Sequence, residues 1–163
     1  MRAALAAAAC LLAPCASAQE RPAPTRPFLT LNAAQAGVEA CLAYARDAEL
    51  RVAVAVMDRG GRLVALARMD DVFVKQVEFA QVKAETASTT PASSKRIAEI
   101  TTPGGPLESL ILLPGVTGVE GGEPVRLRSG YAAGGVGVSG ASPAQDGVCA
   151  RRAVEAIKAE LEG

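Results

Sequence analysis

Histidine and tryptophan are absent from this chain of 163 residues, and its aromatic residues are limited to two Tyr and three Phe. Without histidine, the chain has no Ser-His-Asp or Cys-His catalytic set and no imidazole ligand for zinc or haem iron. The few aromatic rings, and the balance of 17 basic against 17 acidic residues, argue against nucleic acid as a partner. The length suits a single domain with one core.

Long apolar runs are also scarce, and the one near the N-terminus is shorter than the roughly 20 residues of a membrane-spanning helix. This run extends to Leu12 behind the positive charge of Arg2, and an Ala-Ser-Ala cleavage signal follows at residues 16–18. We interpret residues 1–18 as a signal peptide rather than as a buried helix, with a mature chain that starts at Gln19. The pattern predicts a periplasmic or secreted protein that is not inserted in the membrane after cleavage.

Cysteine is equally rare, since only Cys41 and Cys149 would remain after cleavage. They are not arranged as a CxxC pair, so the sequence predicts no metal site. In an oxidising compartment the two thiols are able to form a disulfide. The alternative is that both are small apolar side chains buried in the core.

Hydrophobic periodicity divides the rest of the chain into helices and strands. Residues 19–28 are rich in proline and are predicted to be an extended leader. Apolar spacing and capping signals predict helices at 32–48, 74–88 and 93–100 and a last helix after Ser142. Alternating β-branched residues predict strands at 51–57, 63–69, 125–128 and 131–139, with a possible short strand at 116–119. The order α-β-β-α-α-β-β-α contains two hairpins, which indicates a mixed α/β (α+β) class with an antiparallel sheet.

Several short motifs follow one another in a specific order. They are Ala67-Arg68-Met69-Asp70, Lys83-Ala84-x-Thr86-Ala87, Gly121-Gly122-x-Pro124, the glycine-rich stretch 135–140, and Gln145-Asp146. Together they resemble the GlcG/HbpS family, whose relatives include the C-terminal domain of PduO-type proteins. The resemblance covers residues 29–163, nearly all of the predicted mature chain, and we treat this range as one domain.

The resemblance implies a profilin-like fold, with a five-stranded antiparallel sheet, helices on both faces and assembly into homo-oligomers. Some members of the family are exported haem-binding proteins, and others bind a corrinoid. Corrinoid binding through histidine has no counterpart in this chain, so haem is the cofactor and partner that we expect. In the implied fold the first and last helices lie side by side, which would bring the thiols of Cys41 and Cys149 close together.

Candidate haem-binding residues lie at strand ends and on one helix, and they are Met69, Lys83, Thr86, Ser139 and Ser142. Met69 is a soft iron ligand placed in a loop, while Lys83 and Thr86 share one helix face. The two serines flank the start of the last helix, whose free N–H groups suit a haem propionate. The glycines beside them have an alternative explanation, which is the close approach of another backbone.

The resemblance implies an exported protein that holds or senses haem through a shallow site associated with the oligomer. The alternative function is an enzyme or accessory protein that acts on a small carboxylated metabolite or a corrinoid. Its charged groups would be Lys83 and Asp146. Each of them also has a structural explanation, because surface lysines cover apolar area with their stems and aspartates favour the positive end of a helix. Without histidine, a general base near neutral pH requires a carboxyl or amine group with a strongly shifted pKa.

Overall fold

The computed structural model describes residues 26–90 and 92–163. The predicted signal peptide, 1–18, and most of the predicted leader, 19–28, lie outside these described residues. The helices are α1 (Leu31–Asp47), α2 (Val74–Thr89), α3 (Ser94–Ile100) and α4 (Pro143–Glu162), with a 3₁₀ helix at Glu108–Leu112. The strands are β1 (Ala53–Asp58), β2 (Leu63–Arg68), β3 (Gly122–Arg126) and β4 (Ala132–Ser139). No helix in the described part of the chain is both long and apolar enough to traverse a bilayer.

The four strands form one antiparallel sheet in the order β2-β1-β4-β3. This confirms the predicted mixed fold, but the expectation of five strands is wrong for the described residues, because the segment 116–119 is not a strand. Part of its backbone bonds to a side chain instead of to a neighbouring strand: the N–H of Thr117 donates to the hydroxyl of Thr86 at 2.9 Å. β3 begins only after this segment, at Gly122.

One face of the sheet is covered by α1 and α4, which pack side by side. Cys41 of α1 and Cys149 of α4 form a disulfide, with their Cα atoms 4.8 Å apart. The predicted contact between the first and last helices is therefore confirmed. Valines at alternate positions of the strands supply the sheet's part of this core, and they are Val54, Val56, Val125, Val136 and Val138.

The opposite face of the sheet is covered by α2, and the strands present very small residues to it. β1 contributes Ala53 and Ala55 to the core on this side. β4 contributes Gly135 and Gly137, and a Cβ atom on Gly137 would lie 2.0 Å from the carbonyl oxygen of Ala80 in α2. The backbone of α2 thus lies directly on the strand, which confirms close backbone approach as the reason for the glycine-rich stretch.

The start of α4 carries the cap that the sequence predicts. The hydroxyl of Ser142 accepts the N–H of Gln145, and the side chain of Gln145 accepts the N–H of Ser142. Pro143 occupies the first helical position, where its missing N–H costs nothing. This local signal determines where the helix begins, and so it places Asp146 in the first turn, beside the end of β4.

Candidate functional site

A buried ion pair joins the middle of α2 to the first turn of α4. Lys83 and Asp146 are only 3% and 2% exposed. The Nζ atom of Lys83 donates to Asp146 Oδ2 at 2.9 Å and to the carbonyl oxygen of Val138 at 2.8 Å. The second carboxylate oxygen, Oδ1, accepts the backbone N–H of Ala141 at 3.1 Å. The pair therefore links α2, the end of β4 and the start of α4.

Burial and pairing act on Asp146 in opposite directions. Burial raises the pKa of its carboxyl group because the charged form loses hydration, whereas the hydrogen bond and positive charge of Lys83 act to lower that pKa. Lysine side chains usually lie at the surface, but the side chain of Lys83 is buried beside the carboxylate of Asp146. The catalytic role considered for these two groups stays a prediction.

A small pocket of about 210 Å³ lies against this ion pair. It brings together three of the residues singled out in the sequence, Lys83, Ser139 and Asp146. The hydroxyl of Ser139 donates to Gln76 Oε1 at 2.5 Å. Typical ligand pockets have volumes of about 300–1,000 Å³, so this one suits only a small molecule and not a tetrapyrrole. Its other lining residues are Gln76, Phe79, Val119, Ala141 and Pro143.

The remaining three candidate residues do not line this pocket. Thr86 is fully buried, and its Oγ1 atom holds the segment 115–117 through a carbonyl oxygen at 3.0 Å and an N–H at 2.9 Å. Ser142 caps α4. Met69 is half-buried and packs against the apolar cluster beneath α2. The structure therefore gives Thr86 and Ser142 structural contacts and separates Met69 from the ion pair's pocket.

A larger apolar groove of about 550 Å³ lies beyond the C-terminal end of α2. Its walls come from α3, from the 3₁₀ helix and from the residues on either side of that helix. No sequence motif predicted this groove, although the apolar run 110–113, three residues after a Pro- and Gly-rich break, was a signal for it. The lining residues are Thr89, Thr90, Ala92, Ile97, Ile100, Leu107, Leu110, Leu113, Pro114 and Val116.

A basic cavity of about 380 Å³ adjoins the apolar groove, because Thr89 and Thr90 line both. Arg59, from the turn between β1 and β2, lies over the ring of Tyr131 with its guanidinium carbon 5.0 Å from the ring centre. Arg126, at the end of β3, lines the same cavity. Among the described residues that form its wall there is no Asp or Glu. The two cavities together offer an apolar surface beside a positively charged one.

Comparison with known proteins identifies relatives across most of the chain. A family model described as "Haem degrading protein HbpS-like" matches residues 29–155. Protein GlcG of Escherichia coli strain K12 is 35% identical over 115 residues, which are 71% of this chain and 84% of that protein. The crystal structure of HbpS has a TM-score of 0.75 at 30% identity and covers 85% of this chain and 96% of its own. That of a PduOC:heme complex has a TM-score of 0.73 at 28% identity, covering 79% and 94%.

Proposed function

This chain belongs to the HbpS-like family of haem-degrading proteins, and we propose that it binds haem in the apolar groove between α3 and the 3₁₀ helix. The observation that carries this proposal is the groove itself, which is almost entirely apolar and has a volume of about 550 Å³. Sites for cofactors of this size are concave, mostly apolar and marked by few polar groups. The haem complex of a structural relative supports the same ligand class.

The residues of the groove fit a porphyrin ring held by contact rather than by a strong bond to iron. The chain has no histidine, and the described residues that line the groove include no Met, Cys or Tyr. Bound haem would supply a redox-active iron, while Ile97, Leu110 and Leu113 would exclude water from one side of the ring. We expect high-spin or mixed-spin haem and an affinity in the micromolar range, about −8 kcal/mol.

Titration of haemin into purified protein, followed by the Soret band, tests this proposal. Leu113→Glu places a charge in the groove and should weaken haemin binding about ten- to a hundredfold, since burying one leucine contributes about 1.5–3 kcal/mol. Leu112→Glu is the matched control, because Leu112 is the neighbouring residue, is 79% exposed and does not line the groove.

The proposal fails if wild-type protein gives no spectral change with haemin. The groove assignment fails if both glutamate variants bind haemin as the wild type does. A cobalamin titration in parallel addresses the corrinoid alternative, and binding of cobalamin in preference to haemin would overturn the ligand assignment. A sharp six-coordinate low-spin spectrum would instead indicate a Met or Lys ligand, and it would contradict binding without a strong bond to iron.

We also propose that the protein is exported and acts in the periplasm or outside the cell. The sequence pattern of residues 1–18 is the basis for this proposal, and the disulfide Cys41–Cys149 supports it because disulfides persist in oxidising compartments. The intact mass of secreted protein should correspond to a chain that starts at Gln19. A mass that retains residues 1–18, or a lipid on Cys15, would contradict export as a soluble mature protein.

We also propose that the protein forms a homo-oligomer, as the resemblance to the GlcG/HbpS family implies. β2 is an edge strand of the sheet, and it exposes the apolar side chains of Leu63 and Leu66. Light scattering of the mature protein should give a mass that is a multiple of the chain mass. A monomer at micromolar concentration would contradict this part of the proposal.

A further inference from the structure

We infer that the basic cavity beside the groove receives the two propionates of a bound tetrapyrrole, with Arg59 and Arg126 as the residues that recognise them. This inference rests on the proposed haem function and deepens it, because it states which edge of the molecule faces which part of the protein. It also predicts that carboxylates, and not the apolar ring alone, determine which tetrapyrroles bind.

Both charged side chains that are known to line the cavity are basic. Arg59 and Arg126 contribute two permanent positive charges, and Ser88, Thr89 and Thr90 contribute hydroxyl groups. No carboxylate occurs among the described residues that line the cavity. Guanidinium groups bind carboxylates through paired N–H donors, which makes arginine the preferred residue for this type of ligand.

The two arginines lie at the same end of the sheet. Asp58 at the end of β1 is paired with Gly134 near the start of β4, so the turns of both hairpins lie at one end of the sheet. Arg59 belongs to the first turn and is held over the ring of Tyr131. Arg126 precedes the second turn and donates from Nη1 to the carbonyl oxygen of Gly130 at 3.1 Å. Because each side chain already has a contact in this position, binding an anion would require little rearrangement of them.

The basic cavity adjoins the apolar groove. Thr89 and Thr90, at the C-terminal end of α2, line both cavities, so one molecule can contact both. Such a ligand needs an extended apolar body and a negatively charged edge. Haem has this form, because its ring is apolar and its two propionates lie on one edge.

The start of α4 was the other candidate for binding a propionate, and the structure makes it the weaker one. The positive charge of Lys83 is already matched by Asp146 at 2.9 Å, and the N–H of Ala141 already donates to that carboxylate. The pocket there is also smaller, about 210 Å³ against about 380 Å³ for the basic cavity. The observations therefore favour the two arginines.

Parallel titrations with haemin and with haemin dimethyl ester test the inference, because the ester keeps the ring and iron but has no carboxylates. Wild-type protein should bind haemin about tenfold or more tightly than the ester, since charge-assisted hydrogen bonds contribute more than neutral ones. The double variant Arg59→Gln/Arg126→Gln should lose this preference, and its affinity for the ester should stay unchanged. Arg59→Lys should keep more of the preference than Arg59→Gln does. Arg62→Gln, in the same turn but outside the cavity, is the matched control.

The outcomes distinguish a wrong assignment of the two arginines from a failure of the proposed haem binding. If wild type and double variant prefer haemin equally, the arginine assignment is wrong, and haem binding stands. If wild-type protein binds neither compound, the proposed function itself fails. A third arm adds inorganic phosphate at constant ionic strength and follows thermal unfolding. Stabilisation of the wild type but not of the double variant, without any preference for haemin over the ester, would assign the cavity to a free anion and overturn the inference.

Discussion

The two faces of the sheet are built from the same strands but from side chains of very different size. Toward α1 and α4, β4 presents Val136 and Val138, and toward α2 it presents Gly135 and Gly137. One face is therefore a core of branched side chains closed by a disulfide. The other is a contact between backbones, in which α2 lies on the strand with almost no side chains between them.

This difference shows how a small domain can position functional groups from one helix. Close contact with the strands brings Lys83 of α2 within 2.8 Å of a strand carbonyl and within 2.9 Å of Asp146. It also carries the C-terminal end of α2, at Thr89 and Thr90, to the end of the sheet where the apolar groove and the basic cavity meet. The α2 face, where the strands present their smallest residues, thus positions the ion pair and the end of α2. The face toward α1 and α4 supplies much of the apolar core.

Adding volume to the α2 face should have the largest effect. Gly137→Val should prevent cooperative folding, a loss of at least about 5 kcal/mol and above the usual range for overpacking, because even a Cβ atom would lie 2.0 Å from a backbone oxygen. Chemical denaturation followed by circular dichroism measures this loss. Gly130→Ala is the control: it has open space and a φ of 82°, and it should cost only about 1 kcal/mol. Equal effects of the two substitutions would contradict close backbone packing.

Removing the disulfide should have the next largest effect and should act on the α1 and α4 face. Cys41→Ala/Cys149→Ala should lower the free energy of unfolding by about 4 kcal/mol, because the bridge joins residues 108 positions apart and restricts the unfolded chain. Urea denaturation with and without a reducing agent is the measurement. The reductant should destabilise the wild type and leave the double variant unchanged. A wild type that adds two alkyl groups without reduction would show that the bridge is not formed.

Breaking the buried ion pair should have a smaller effect of about 3 kcal/mol. Asp146→Ala leaves the charge of Lys83 buried without its partner, and breaking such pairs typically costs about 3–5 kcal/mol. We expect the lower end of this range because the pair lies against a pocket that can admit water. The double variant Lys83→Met/Asp146→Ala should recover part of the loss in urea denaturation. A double variant less stable than the single one would show that Lys83 is stabilised mainly by the carbonyl of Val138.

Local patterns in the sequence were sufficient to predict most elements of this fold. The helix predicted at 74–88 is observed at Val74–Thr89, and the cap at Ser142 begins α4 as expected. These signals depend on apolar periodicity and on capping residues, which act within a few positions of the chain. The segment 116–119 was predicted wrongly, because its backbone is held by the side chain of Thr86, about thirty residues earlier in the sequence.

The sequence by itself therefore determined the class of fold, the order of its elements and, through the missing histidine, which iron ligands are excluded. Only the tertiary structure decided that Lys83 meets Asp146, 63 positions away, and that Arg59 and Arg126 lie at one end of the sheet beside an apolar groove. The physical reason is that periodicity reports which side of an element is buried. It does not report which distant element covers that side, because this depends on how closely the helices and strands can pack.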